Sequence, residues 1–318
     1  MATRDESPEL RARVRSMTWE SEDVLSVELE GVDAPLPAWT PGAHIDLVVT
    51  GAPVRQYSLC GDPASRRYRI AVLREAHSRG GSAAVHERLR PGDIVGIHGP
   101  RNHFVLEDAP EYLFIAGGIG ITPILPMLRA VSASGARWRA LYLGASTTRM
   151  ALLDEVAAIG AAAGGAVVVH PRDELGRADL AAEISRHPSA LVYACGPEGM
   201  LSAVTAALPE ESGRLRLEYF SAPVVEYEPG GPFAVRLART GVEVTVEPEE
   251  SILEVMRAAG VEVLSDCEGG ICGSCETQVI EGEIEHRDFV LTPQEKAAND
   301  CMMVCVSRAA CPLLVLDA

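Results

Sequence analysis

The chain has 318 residues, a formal net charge of -17 and 47% hydrophobic residues. This length predicts two or three domains, and the apolar content suffices for packed cores rather than disorder. The acidic balance argues against nucleic acid and anionic membrane surfaces as partners. No apolar core of a secretory signal stands in Met1 to Ser7. The most apolar run, Tyr112 to Leu128, is broken by three glycines and two prolines. It suits a buried strand, loop and helix better than a membrane span, which needs about 20 apolar residues. Eight cysteines in a chain this long do not make a disulfide scaffold, and a reducing, cytoplasmic setting is expected.

Residues 1–107 read as β. Val24–Leu29 alternates at period 2, and Ile45–Val49 and Tyr68–Leu73 look like further strands. Turn signals fall at Pro41-Gly42, Gly61-Asp62-Pro63, Pro91-Gly92-Asp93 and Gly99-Pro100. Short strands at close spacing predict a small antiparallel barrel. Residues 108–222 alternate β and α. Strands are expected at Tyr112–Ala116, Ala140–Leu143, Ala166–His170 and Ala190–Ala194; Gly117–Pro123 and a helical stretch to Val131 follow the first strand, and further helices are expected at Ala151–Ile159, Arg177–Ile184 and Glu198–Ala206. That order implies a parallel, doubly wound sheet. Residues 223–232, with three prolines and two glycines, read as a linker. Residues 233–318 begin with a hairpin around Thr240-Gly241. A helix follows to Ala259, capped by Ser251 with Glu254 completing a capping box. This last segment holds 16 Asp/Glu against 6 Lys/Arg, so it carries most of the chain's negative charge.

Several stretches carry chemistry. Arg55-Gln56-Tyr57-Ser58-Leu59 could give a flavin an aromatic wall, ring-edge donors and a cation for its phosphate; an exposed strand with a salt-bridging arginine would read the same way. Arg79-Gly80-Gly81-Ser82-Ala83, at a helix start, could cradle a phosphate on free N–H groups, or be a plain turn with a serine cap. Gly117-Gly118-Ile119-Gly120 follows a strand and opens a helix, the context in which glycines let a pyrophosphate approach the backbone. Thr122 stands where a hydroxyl could reach a flavin or a nicotinamide. Tyr193-Ala194-Cys195-Gly196-Pro197 closes a later strand, where a small polarizable Cys195 would suit hydride transfer; it could also be a buried structural cysteine before a turn.

The most specific pattern lies near the C-terminus. Cys267, Cys272 and Cys275 are spaced C-x4-C-x2-C, and Cys305 follows after 29 residues. This is the plant-type ligand spacing of a [2Fe–2S] cluster. Four-cysteine zinc sites usually come as two C-x2-C knuckles, and only Cys272/Cys275 make one here. Such a cluster moves one electron at a time, so the chain must contain or meet a source of electrons.

A flavin-like barrel, a nucleotide-like α/β region and a ferredoxin-like segment on one chain resemble the ferredoxin–NADP reductase superfamily. The resemblance is closer to the phthalate dioxygenase reductase and vanillate demethylase reductase family. It rests on Arg55–Cys60, Gly99–Phe104, Gly117–Pro123, Cys195–Pro197, the cluster loop and Val304–Ala309, and covers nearly the whole chain. It implies a Greek-key FMN barrel (1–107), an NAD(P)H-binding α/β domain (108–222), the linker, and a β-grasp plant-type [2Fe–2S] domain (233–318). By resemblance Arg55, Tyr57, Ser58, Val72, Gly81 and Ser82 would hold FMN. Gly117, Gly118, Gly120, Thr122, Cys195, Gly196 and Pro197 would meet the nucleotide. Phe220 would lie by the flavin ring, and Cys305 rather than Cys301 would be the fourth ligand.

The chain departs from its relatives after the strand at Leu141–Leu143. Many of them carry an arginine in a run like Ala-Arg-Ser, where this chain has Gly144-Ala145-Ser146-Thr147-Thr148-Arg149. With no arginine at 145 to meet a 2′-phosphate, NADH is expected over NADPH, although Arg149 could substitute. The expected role is a monomeric reductase that passes electrons to a separate terminal oxygenase docked near the acidic domain. A Rieske non-haem iron oxygenase of aromatic compounds is the first candidate partner and a cytochrome P450 the second. An iron–sulfur redox sensor without enzymatic activity is the reading from a different class.

Overall fold

The computed structural model describes residues 10–318 except 77–79, 165, 210–211, 224, 226 and 228–229. Arg79 and four positions of the expected linker lie outside the described residues. The chain divides into two compact units, Met1–Phe220 and Ser221–Ala318.

The first unit opens with β1 (Leu10–Ser21), β2 (Val24–Gly31), β3 (His44–Val48), β4 (Arg55–Ser58), β5 (Arg67–Leu73), helix α1 (Gly81–Glu87) and β6 (Ile94–Arg101). The strands form one antiparallel sheet in the order β4-β3-β6-β1-β2-β5. A bridge between Leu59 and Ile70 joins its two edges and closes a barrel. The alternation seen in the sequence fills the inside: Val27, Leu29, Ile45, Leu47, Ile70, Val72 and Ile97 are buried there. Gly99-Pro100, expected as a turn, lies within β6 instead. Its neighbourhood shifts the β3–β6 register between His44 and Asp46, so the strand continues through an irregularity rather than ending.

The same unit continues with β7 (Glu111–Gly117), α2 (Ile121–Ser134), β8 (Arg137–Gly144), α3 (Leu153–Ala162), β9 (Val167–Pro171), α4 (Arg172–Leu175), α5 (Leu180–Ser185), β10 (Leu191–Cys195), α6 (Glu198–Ala207) and β11 (Leu215–Glu218). The sheet is parallel, in the order β11-β10-β7-β8-β9. Strand β11, only four residues long, carries too short an alternation to stand out in the sequence. Helices α2 and α3 pack on one face and α5 and α6 on the other. Barrel residues Val24, Cys60, Ala71 and Phe104 join the α2/α3 core. Polar contacts reinforce that join. Arg69 donates to Glu155 at 2.6 Å, Arg129 donates to the Cys60 and Gly61 carbonyls and also pairs with Glu155. Glu155 is thereby held below the usual carboxylate range by the two arginines, against the opposing effect of burial.

The second unit holds β12 (Phe233–Leu237), β13 (Glu243–Val246), α7 (Ile252–Ala258), β14 (Glu276–Glu281), β15 (Ile284–Glu285), α8 (Pro293–Ala298), β16 (Cys301–Met303), β17 (Arg308–Ala309) and β18 (Leu313–Leu316). Its main sheet runs β13-β12-β18-β14-β16, with β12 and β18 parallel and the other pairs antiparallel. The Ser251/Glu254 capping box starts α7 as the sequence predicts. Ile252, Leu253 and Met256 then face Val235, Leu314 and Leu316 in the core. Sheet, covering helix and the long loop between α7 and β14 make the ferredoxin-like α+β fold.

Candidate functional site

In the first unit three strand ends bring the expected residues together. The loops after β7 and β10 touch backbone to backbone. A Cβ on Gly120 would lie 2.2 Å from the Cys195 carbonyl oxygen, one on Gly117 would lie 2.7 Å from Pro197, and one on Gly196 would lie 2.9 Å from the Gly117 Cα. Gly117 and Gly120 are therefore required by loop packing. Gly118, with a φ of +54° and open space beside it, is the glycine left to face a ligand. Thr122 is buried and donates its hydroxyl to the Ile119 carbonyl at 2.9 Å, so only its oxygen lone pairs remain for a ligand.

Cys195 is fully buried at the end of β10, in register with Glu218 of β11, and its Sγ lies 3.8 Å from Glu218 Oε2. Ser58, at the end of β4, also hydrogen-bonds the Glu218 carboxyl. As a residue Glu218 is half-buried, but its carboxyl is enclosed between these two side chains. Burial pushes its pKa up to about 8, with the Ser58 and Cys195 hydrogen bonds working in the opposite direction. Burial also drives the Cys195 thiol well above its ordinary value. Across from Ser58 in β3 lies His44, buried, stacked on His103 and lowered to about 3 by burial. Glu218 was not among the sequence-predicted residues. It ends a four-residue strand, Leu-Arg-Leu-Glu, whose only local signal is alternation, two residues before Phe220. Phe220 itself is 42% exposed.

Arg55 and Gly81 meet at the barrel's other expected site. A Cβ on Gly81 would lie 2.4 Å from Arg55 Cγ, so the start of α1 rests on the arginine stem. Gly80 precedes the helix at φ +107°. Ser82 accepts the Glu75 N–H at 3.3 Å, and Val72, buried in β5, is tied to α1 through His86 on its carbonyl. Tyr57 lies beside Ser58 on β4. Arg149 is otherwise engaged: it pairs with Glu22 at 3.2 Å and Asp23 at 3.1 Å on the β1–β2 turn.

In the second unit the loop Cys267–Cys275 takes positive φ at Glu268, Gly270 and Gly273. The four cysteines stand as two hydrogen-bonded pairs, Cys267 with Cys272 and Cys275 with Cys305. Within each pair the shared hydrogen bond lowers one thiol, Cys272 and Cys305, and raises the other, Cys267 and Cys275. Backbone amides point at the sulfurs: Gly269 N–H donates to Cys267 at 3.3 Å, and Ile271, Ser274 and Gly270 N–H groups serve Cys267, Cys272 and Cys305. Among the described residues no three His, Cys, Asp or Glu side chains converge on a single ion position. Two thiol pairs fit two irons with two thiolates each, and the amides match the N–H···S bonding such a cluster takes. Cys301 lies in β16 opposite Gln278, outside both pairs. Burial and neighbouring acids push it up to about 12.

Comparison with known proteins agrees with this organisation. Residues 235–310 match a profile described as a 2Fe-2S iron-sulfur cluster binding domain, and residues 114–206 one described as an oxidoreductase NAD-binding domain. The vanillate O-demethylase oxidoreductase of Pseudomonas putida is 40% identical over 314 residues, 96% of this chain and 99% of that one. A crystal structure of phthalate dioxygenase reductase is 38% identical, covers both chains fully and superposes with a TM-score of 0.68. An intact type IV self-sufficient cytochrome P450 monooxygenase is 41% identical with a TM-score of 0.91 over 98% of this chain, which spans 41% of that longer one. The fold and the two sites define an NAD(P)H-dependent oxidoreductase of the ferredoxin–NADP reductase superfamily. The chain belongs to its phthalate dioxygenase reductase and vanillate O-demethylase reductase family, whose cofactors are FMN and a [2Fe–2S] cluster and whose reductant is NADH. No helix among the described residues is long and apolar enough to cross a membrane.

Proposed function

We propose that this chain is the reductase component of a multicomponent oxygenase system. It takes a hydride from NADH and delivers single electrons to a separate terminal oxygenase, a Rieske non-haem iron aromatic oxygenase or O-demethylase. The observation that carries this reading is the likeness to vanillate O-demethylase oxidoreductase along the full length of both chains. When bound, FMN would supply a carrier of two electrons or one, and the [2Fe–2S] cluster a carrier of one. The protein's part is positioning. Arg55, Tyr57, Ser58, Val72, Gly81 and Ser82 hold the flavin. Gly117, Gly118, Gly120, Gly196 and Pro197 shape the nucleotide site, with Thr122 behind it. Cys195 and Phe220 stand where nicotinamide and flavin meet. Glu218, held by Ser58 and Cys195, keeps a proton at its carboxyl near neutral pH. Cys267, Cys272, Cys275 and Cys305 ligate the cluster. The domain limits 1–107, 108–222 and 233–318 follow the division of labour.

Anaerobic titration with NADH, followed by flavin absorbance and by the cluster's electron paramagnetic resonance signal, checks the electron path. Reduction of the flavin with the cluster left fully oxidised would defeat it. The acidic C-terminal segment docks a basic face on the oxygenase, in a cytoplasmic setting with the reductase a monomer. Oxygenase-coupled turnover therefore falls as salt rises, whereas NADH-to-flavin reduction does not; turnover indifferent to salt removes the docking reading. The high TM-score to the self-sufficient P450 monooxygenase supports a second partner class. Reconstitution with a P450 and with a Rieske oxygenase in parallel decides between them.

A further inference from the structure

Behind the thiol loop lies a charged group that the electron path above does not use. Asp288 is buried, its carboxylate wholly enclosed. Val290 and Leu291 N–H groups donate to its Oδ2 at 3.2 and 2.9 Å, and the His286 ring nitrogen Nδ1 lies 3.3 Å from its Oδ1. Lys296, the only lysine in the chain, reaches in from α8. Its Nζ sits 3.8 Å from Oδ2 and donates to the Asp288 carbonyl at 2.7 Å. A carboxylate buried this deeply is costly unless paired, and Lys296 supplies the pairing cation.

This segment backs directly onto the loop. Phe289 N–H donates to the Gly270 carbonyl at 2.8 Å. A Cβ on Gly270 would lie 3.2 Å from Asp288 Cα. Gly270 N–H in turn donates to the Cys305 sulfur. The backbone of Asp288 and Phe289 thus packs on Gly270, the residue whose amide serves the Cys305 sulfur.

We propose that Asp288 and Lys296 are positioning residues that set the reduction potential of the cluster through their charges and through the Gly270 amide. This rests on the four cysteines being the ligands. Reduction adds one electron, hence negative charge, to the cluster. Charge near a cluster and hydrogen bonds to its sulfurs are what tune its potential. Asp288→Asn keeps an acceptor for the Val290 and Leu291 amides but removes a negative charge, so the potential rises. Lys296→Gln removes a positive charge, so it falls.

The experiment is a dye-mediated anaerobic redox titration of the full-length, cofactor-loaded protein, read by electron paramagnetic resonance. Each single variant should change the electron-partition constant threefold to tenfold on the scale where tenfold is about 59 mV for a one-electron couple. The two shifts have opposite signs, Lys296→Arg restores the wild-type value, and the double variant returns near it. Shifts of the same sign, or none, overturn the proposal. Should Asp288→Asn fail to hold a cluster, Lys296→Gln against Lys296→Arg decides alone, because Lys296 is partly exposed on a six-residue helix. Iron and sulfide content keeps the underlying reading separate. A wild-type protein without a cluster refutes the ligand assignment, whereas a loaded protein with unmoved potentials refutes only the role of Asp288 and Lys296.

Discussion

The two chemical centres of this chain are built in opposite ways. The thiol centre takes three of its four sulfurs from nine consecutive residues, Cys267 to Cys275. The proposed hydride centre collects Ser58 from β4, Cys195 from β10 and Glu218 from β11, residues 137 and 23 positions apart along the chain. A local centre is specified by loop conformation and spacing. A dispersed centre exists only once a barrel and a parallel sheet have packed on each other. The first should fail one ligand at a time while its neighbourhood survives, whereas the second should respond to changes that alter charge or packing anywhere along its seam.

The sharpest break in that comparison is at the fourth thiol. Cys305→Ser should abolish the cluster's visible and paramagnetic signals and reduce NADH-driven cytochrome c reduction by at least the roughly 10–100-fold that metal sites lose when a supporting group is removed. Flavin content and NADH-to-flavin reduction should stay at wild-type levels. Cys301→Ser, outside both thiol pairs, should change neither signal. If Cys301→Ser bleached the protein and Cys305→Ser did not, the ligand set would have to be redrawn.

The hydride centre responds next. The Glu218 pKa is raised to about 8 from an ordinary 4.5 by burial. A carboxyl raised on folding contributes stability that is fully present below about pH 4.5 and is lost as pH rises through 8. Glu218→Gln removes that dependence. The melting temperature of the variant relative to wild type should therefore climb between pH 5 and pH 8.5, measured on protein of equal flavin content. Stopped-flow flavin reduction by NADH should slow on the order of tenfold, less than the roughly 10²–10⁴-fold that a positioned acid or base contributes. The wild-type rate should titrate near pH 8 and the variant's should not. A variant profile that still bends near 8 would assign the titration to another group.

The contrast also explains what the sequence made readable. The thiol spacing, the Ser251/Glu254 capping box, the strand-then-glycine context of Gly117 and the alternation of β and α are local signals, and local signals survive without a fold. Glu218 has none: it is one of 45 acidic residues, distinguished only by where a short unanticipated strand ends. The role of Gly117 and Gly120 was half legible. The sequence shows that glycines are needed after β7, but the reason, backbone contact with the Cys195–Pro197 loop, belongs to the packing of β10 beside β7. Gly99-Pro100 misled in the other direction, because a turn-forming pair within a barrel strand is absorbed by an irregular register.

Arg149 is where local reading and assembly meet, and its expected effect is the smallest. From the sequence it could substitute for the missing arginine at 145 and meet a 2′-phosphate. In the folded chain its guanidinium lies between Glu22 and Asp23, carboxylates that arrive from the barrel turn. Redirecting it toward a phosphate would strand two acids and lose both pairs. Exposed pairs of this kind are each worth roughly 0.2–1 kcal/mol, so Arg149→Ala, which loses two, should lower stability by about 2 kcal/mol or less. It should leave the ratio of NADH to NADPH dissociation constants unchanged. Ala145→Arg, which adds a cation just after β8, should tighten NADPH selectively in the same titration. A loss of NADPH binding in Arg149→Ala would mean that the arginine leaves its acidic partners when the nucleotide arrives.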